Sequence, residues 1–251
     1  MNVLNMHEIA EAGHRILNPL TEDKLMLLGD ICRLRPGLRM LDLASGKGEM
    51  LCRWADVYGI EGHGVDVSTV FVPVARERAA ELGVADRVTF ELSDAADAVK
   101  SGEHSGYDIV ACIGATWIGG GLAGTADLML RALRPGGLVL IGEPYWVDDT
   151  PDEAYDALHT PRDAFTTLIG THDRLEAAGL ELLEMVLADG DSWDRYVAAQ
   201  WWTVSDWLRG NGSHPDADAM RAYLADARRT HLQYQRRYMG WGVFVCRVAE
   251  D

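Results

Sequence analysis

The chain has 251 residues, of which 48% are hydrophobic and 25% charged, and its formal net charge is -16. That length suits one large α/β domain, or a smaller domain with a helical insertion, and its core needs no disulfide or metal staple. The negative charge argues against nucleic acid and acidic membrane surfaces as partners, because the densest basic stretch (Arg228, Arg229, Arg236 and Arg237 among apolar residues) reads as a solvated helix face.

The first 33 residues read as two helices, about 5–17 and 21–33. Asn18-Pro19 interrupts them, and Thr21 is a good N-cap with Glu22 and Asp23 in the first turn. A regular alternation follows. Strand-like apolar runs at 39–44, 62–67, 87–92, 108–113 and 138–142 are separated by helical patterns at 48–58, 69–82 and 123–133. Pro73 implies a late start or a kink in the second of these helices. LGV (82–84) and RPGG (134–137) read as the turns that close two helices. Short apolar strands alternating with helices predict a doubly wound parallel sheet with both faces covered. A helix at 162–178, a strand at 180–187 and a last strand at 242–248 complete the pattern. Some 50 helical and aromatic residues lie between those two strands. The expected organisation is an N-terminal helical lid (1–34) on a domain of residues 35–251, with a helical cap inserted at about 190–238.

The four cysteines, Cys32, Cys52, Cys112 and Cys246, form no CxxC pair and no His cluster accompanies them. Reduced thiols, no metal and a cytoplasmic location are therefore expected. The N-terminus lacks a secretory pattern, and no run approaches the roughly 20 apolar residues of a membrane span.

The first strand ends in Asp42-Leu43-Ala44-Ser45-Gly46-Lys47-Gly48 and leads directly into a helix. Small residues there let a ligand approach the backbone. Asp66 closes the next strand, 18 residues beyond Gly48, and is placed to accept hydrogen bonds from two ribose hydroxyls. A dinucleotide fingerprint needs Gly or Ala where this chain has Leu51, because pyrophosphate sits on that helix start. The acid at position 42 suits a cationic ligand instead. S-adenosylmethionine, with an ammonium, a sulfonium and no phosphate, fits this description.

On these residues the chain resembles the class I S-adenosylmethionine-dependent methyltransferases. DLASGKG matches their acid-x-G-x-G-x-G motif with Ala44 at the first glycine, and GVDVS, LSDA (92–95) and LRPGG (133–137) continue the match over roughly 35–145. The resemblance implies a seven-stranded Rossmann-like sheet whose last strand is antiparallel. It also implies S-adenosyl-L-methionine as cofactor and S-adenosyl-L-homocysteine as product. Asp42, Ala44, Gly46 and Gly48 would form the loop. Asp66, Val67 and Ser68 would serve the ribose, Asp94 and Ala95 the adenine, and Cys112 with Gly114 the methionine side. ILNPLTEDK (16–24), ASGKGEMLC (44–52), CIGATWIGGG (112–121), IGEPYW (141–146), EMVLAD (184–189), WDRY (193–196) and GWGVF (240–244) further resemble a bacterial group, the YjhP-like methyltransferases.

Methyl transfer from a sulfonium is an in-line displacement, so the acceptor pocket needs alignment and dryness more than a base. Candidate acceptor residues are Trp117 on a glycine-rich loop (Gly119, Gly120, Gly121), Glu143, Tyr145 and Trp146 beyond the fifth strand, and Tyr196 and Trp202 on the cap. Each has a plainer reading. Trp117 is a pocket wall or a core tryptophan. Glu143 is a weak general-base candidate or a structural acceptor. The cap stripe Trp193, Val197, Trp201, Val204 and Leu208 reads as packing, and Trp241 is a pocket or a packing residue. The 18–21 segment is placed to meet the methionine carboxylate, and His7 and His14 lie on the lid. An N/D-P-P-Y motif of DNA and protein-amide methyltransferases is missing from the fourth strand end, which favours a small-molecule acceptor for a monomer or homodimer. Open alternatives are a non-catalytic binding module, a nicotinamide oxidoreductase and a synthase using the same cofactor.

Overall fold

The computed structural model describes residues 2–147 and 150–250. Helix α1 (Val3–Ala10) is followed by turns, then by α2 (Glu22–Ile31), capped as expected by the Thr21 side chain. The first helix therefore stops seven residues earlier than the sequence pattern predicts. The carbonyls of Glu11, Ala12 and His14, just past its end, turn toward a lysine of the domain below, and Gly13 packs close to the Thr203 side chain, where a Cβ would collide.

The βα alternation then runs β1 (Arg39–Leu43), α3 (Glu49–Tyr58), β2 (Glu61–Asp66), α4 (Phe71–Glu81), β3 (Val88–Leu92), α5 (Ala95–Lys100), β4 (Tyr107–Ile113), α6 (Leu122–Ala132) and β5 (Leu133–Trp146). Helix α4 starts late and runs on without a break. Pro73 sits in its first turn, where no helical N–H bond is lost, and the Ser68 hydroxyl accepts from Val70 and Phe71 N–H. Helix α5 escaped the sequence reading because it has only six residues. Asp94 caps it, accepting from Ala96 and Asp97 N–H.

Helix α7 (Asp152–Ala157), which the sequence reading did not foresee, and α8 (Leu168–Ala177) lead to β6 (Leu180–Leu187). The helix expected from 162 begins only after Thr167, because Thr166 and Thr167 are held at Trp146. Helices α9 (Gly190–Gly210) and α10 (Ala217–Thr230), a π-helical segment (His231–Gln235) and one short α-helical turn (Arg236–Tyr238) precede β7 (Met239–Val248).

The sheet order is β3-β2-β1-β4-β5-β7-β6. Strands β1 to β5 are parallel and β7 is antiparallel to both neighbours, as the resemblance implied. Crossovers cover both faces, giving two apolar cores around residues such as Trp54, Met40 and Ile109 on one side and Leu41, Val110 and Phe244 on the other. The fifth strand is longer than expected. Glu143, Tyr145 and Trp146 do not leave it but remain paired with β7 at Gly242, Gly240 and Met239. The stripe on α9 packs as a core: Val204 joins Ala10, Met220 and Leu224, and Trp193 and Trp241 are buried in the larger cluster. Among the described residues, no helix is long and apolar enough to cross a membrane.

Candidate active site

A cavity of about 380 Å³ opens at the carboxyl ends of β1, β2 and β4, on the reversal point of the strand order where such sheets bind ligands. Its floor is the 44–48 loop. Ala44 and Ser45 N–H both donate to Val65 O, at 2.8 and 2.9 Å. Ala44, Gly46 and Gly48 all adopt positive φ, of 71°, 54° and 70°. A side chain on Gly48 would collide with the Phe90 ring, and one on Gly46 would come within 2.6 Å of Leu17 in the segment above. Glycine is therefore required at both for conformation and for space. Ala44 tolerates the same region at some strain.

The carboxylates are the site's main chemical feature. Asp66 fixes the loop, accepting from Gly46 N–H at 2.7 Å and Ser68 N–H at 2.8 Å, yet still lines the cavity. Burial raises its pKa against those two bonds. Asp42, 4% exposed, is pushed up to about 8 by burial and then by the charge of Asp66. Asp94, although it caps α5, and Glu49, on the first turn of α3, also line the cavity. Glu49 is clamped by Arg78 at 2.7 and 3.0 Å. A phosphate on the α3 N-terminus would meet Glu49 and the aspartates. This excludes a dinucleotide more firmly than Leu51 does.

The roof is residues 4–20. Leu4, His7, Arg15, Ile16, Leu17, Asn18 and Leu20 line the cavity. Lys47 holds this roof, because its buried ammonium donates to the carbonyls of Glu11, Ala12 and His14 at 2.7, 3.0 and 2.7 Å. Ser68 Oγ adds a 2.6 Å bond to Glu8. The fully buried Glu11 accepts from Tyr196 Oη at 2.6 Å and Gln200 Nε2 at 2.7 Å, and faces His14 Nδ1 at 3.2 Å. The lid is thereby tied to the glycine loop below and to α9 beside it. The sequence reading missed Lys47 and Glu11. A lone lysine inside a glycine loop facing no phosphate was the available signal for the first.

Asp42, Ala44, Gly46, Asp66, Val67, Asp94, Ala95, Gly114 and Trp117 of the expected set line one cavity. Gly48 and Ser68 shape it from behind, and Cys112 is fully buried in the strand beneath. Trp117 stands at the mouth, 72% exposed, and is no core residue. The glycines after it serve a turn: Gly119 packs on the backbone of Gly124 and Thr125, while Gly120 and Gly121 take positive φ.

Glu143, Tyr145, Trp146, Tyr196 and Trp202 do not line the cavity. Burial raises Glu143 to about 7, with Oε1 unpartnered among the described residues. Tyr145 lies against Gly240, and Trp146 is packed against Tyr155 and Phe165. Tyr196 serves the lid, and His14 sits with it rather than in the cavity. Trp202 is 74% exposed, bonds Asp206 and borders a separate groove with Arg209 and Arg228. Its place is set by the polar face of α9, which turns away from the sheet.

Buried polar atoms without a partner among the described residues include Asn18 Oδ1 and Ser45 Oγ, on two residues that line the cavity. Together with the acidic lining they suit a ligand carrying cationic and hydroxyl donors.

The comparisons agree with this chemistry. Residues 34–196 match the family model described as a methyltransferase domain. The chain is 45% identical to Escherichia coli K12 YjhP over 98% of each protein. It matches the S-adenosylmethionine-dependent methyltransferase of Geobacter sulfurreducens, solved with S-adenosyl-L-homocysteine, at 46% identity and a TM-score of 0.92, covering 97% of this chain and 98% of that one. The corresponding enzyme of Thiobacillus denitrificans, also solved with S-adenosyl-L-homocysteine, matches at 43% identity and 0.92 over 99% and 100%. The chain belongs to the S-adenosylmethionine-dependent methyltransferases, within the group that contains the YjhP-like proteins.

Proposed function

We propose that the chain methylates a small molecule bound at the mouth of this cavity, between Trp117 and the lid. The observation that carries the reading is the enclosure of the cavity by the roof of residues 4–20, which leaves an entrance beside one exposed indole rather than a broad basic groove. The net charge of -16 supports it, since a nucleic-acid acceptor would be repelled. Residues 1–34 act as the lid and 190–238 as the cap that anchors it through Tyr196 and Gln200.

In this reading the bound cofactor supplies an electrophilic methyl group on a sulfonium. Asp66 holds the ribose hydroxyls while keeping the glycine loop in place. Asp94 and Ala95 flank the adenine. Asp42 and Asn18 receive the ammonium end, and the backbone of Ile113, Gly114 and Ala115 supports the methionine side. Lys47 keeps the lid down and water out, which strengthens the alignment on which an in-line displacement depends. Trp117 offers a flat apolar wall to the acceptor. Among the described residues, the lining contains no carboxylate beyond those at the cofactor end, so the acceptor nucleophile would arrive reactive or lose its proton to the His7 imidazole or to solvent. Glu143 is buried and does not line the cavity, so it is given no role in this reading.

The test is methyl uptake from labelled S-adenosylmethionine into pooled metabolites, proteins and nucleic acid. Label in a low-molecular-weight fraction, with Trp117→Ala raising KM for that acceptor, is the expected result. Label confined to protein or nucleic acid would overturn the reading.

A further inference from the structure

A second group of chemically active side chains lies on strands β2 and β3, outside the cavity. His63 comes from β2, Glu91 from β3, and His104 from the connection between α5 and β4. His63 Nε2 is 3.4 Å and His104 Nε2 3.2 Å from the same oxygen, Glu91 Oε2. All three atoms lie within 4.8 Å of one another. Ligand atoms at about 2.0–2.1 Å from a tetrahedral zinc stand roughly 3.3 Å apart, so two edges of the triangle already have that length.

The remaining nitrogens support the same orientation. His63 Nδ1 is 2.9 Å from Thr89 Oγ1, and His104 Nδ1 is 3.4 Å from Tyr107 Oη. With Nδ1–H donating to those oxygens, both Nε2 lone pairs face the carboxylate. Second partners of this kind fix the tautomer and aim of metal-binding histidines. The side chains are 23%, 39% and 10% exposed for His63, Glu91 and His104, enough for an ion to enter.

We propose that His63, Glu91 and His104 bind one divalent ion of the zinc class, with a fourth position open to water. Two imidazoles and one carboxylate are a donor set suited to zinc and its transition-metal neighbours rather than to magnesium or calcium. The ion would staple the edge strand β3 and the α5–β4 connection to β2, the strand that ends at Asp66. The site was invisible in the sequence because its ligands lie 28 and 13 residues apart, at positions 63, 91 and 104, with no motif spacing.

The test uses the full chain, stripped with a chelator and titrated with zinc chloride by calorimetry and thermal melting. One equivalent should bind and raise Tm. His63→Gln and His104→Gln should each weaken binding by at least about tenfold and remove the Tm shift. Retained S-adenosylhomocysteine affinity would show that both variants are folded. X-ray absorption at the zinc edge should report two imidazoles. Three outcomes would overturn the proposal: no binding with zinc in excess, binding that survives the double variant, or binding that follows His172, Asp173 and Glu176 instead.

Discussion

Replacing Asp42 with asparagine should separate two effects of one carboxylate, on stability and on affinity. Burial and the charge of Asp66 raise its pKa from an ordinary 3.8 to about 8 in the folded chain. A carboxyl raised by folding stabilises below about pH 4, and that contribution is lost as pH climbs toward 8. At pH 7 the gap between 3.8 and 7 corresponds to about 4 kcal/mol of opposition to folding. The substituted amide never ionises, and its desolvation costs about 1–3 kcal/mol in return. The variant should therefore gain about 1–3 kcal/mol at pH 7 without ligand, or a Tm rise of roughly 2–10 °C, and lose about 1–3 kcal/mol at pH 4, where the wild-type carboxyl is neutral and only the cost of the amide remains. Binding should move the other way. A cationic group beside Asp42 requires it ionised, so the wild-type affinity for S-adenosylhomocysteine should rise by up to about tenfold per pH unit between pH 6 and 8. Asp42→Asn should bind more weakly at pH 8 and lose that slope. Thermal melts and calorimetry across pH 5–8 measure affinity and stability together, with a further melt at pH 4. A wild-type affinity independent of pH, or a variant no more stable at pH 7 than at pH 4 relative to wild type, would refute the reasoning.

Lys47→Met keeps the apolar stem but strands three lid carbonyls, so a loss of about 2–4 kcal/mol is expected. Hydrogen exchange should then rise in residues 2–17 first, and uniform exchange would place the lid's anchor elsewhere. Ala44→Gly relieves a φ of 71° and should stabilise by about 1 kcal/mol in denaturant melts, whereas a loss of stability would show that Ala44 is unstrained. Trp202→Ala, on the outer face of α9, should leave KM and kcat for an identified acceptor unchanged in steady-state assays.

The central strands were readable because each is buried on both faces and so appears as an apolar run, as in β1 and β4. The glycine loop was readable because φ and space together leave few residue choices at Gly46 and Gly48. Length and spacing say nothing about contacts across sequence. The roof at 11–20 follows from Lys47 binding its carbonyls, and the helical pattern there gave way to that tertiary bond. Glu143 and Trp146 read as lying beyond the fifth strand because the pairing of β5 with β7 extends past β4, which no local pattern reveals. Trp202 was considered for the acceptor because helical phase gives a face but not what covers it.

The most direct measurement is calorimetric titration of the wild-type chain and Asp66→Ala with S-adenosylhomocysteine, and of the wild type with NAD. One equivalent of S-adenosylhomocysteine should bind the wild type. Losing hydrogen bonds from ribose to a carboxylate should weaken it by about 1.5–3 kcal/mol, roughly 10- to 150-fold, in the variant, and NAD should give no heat. Equal affinity in the two proteins, or binding of NAD, would contradict the assignment of this acidic cavity.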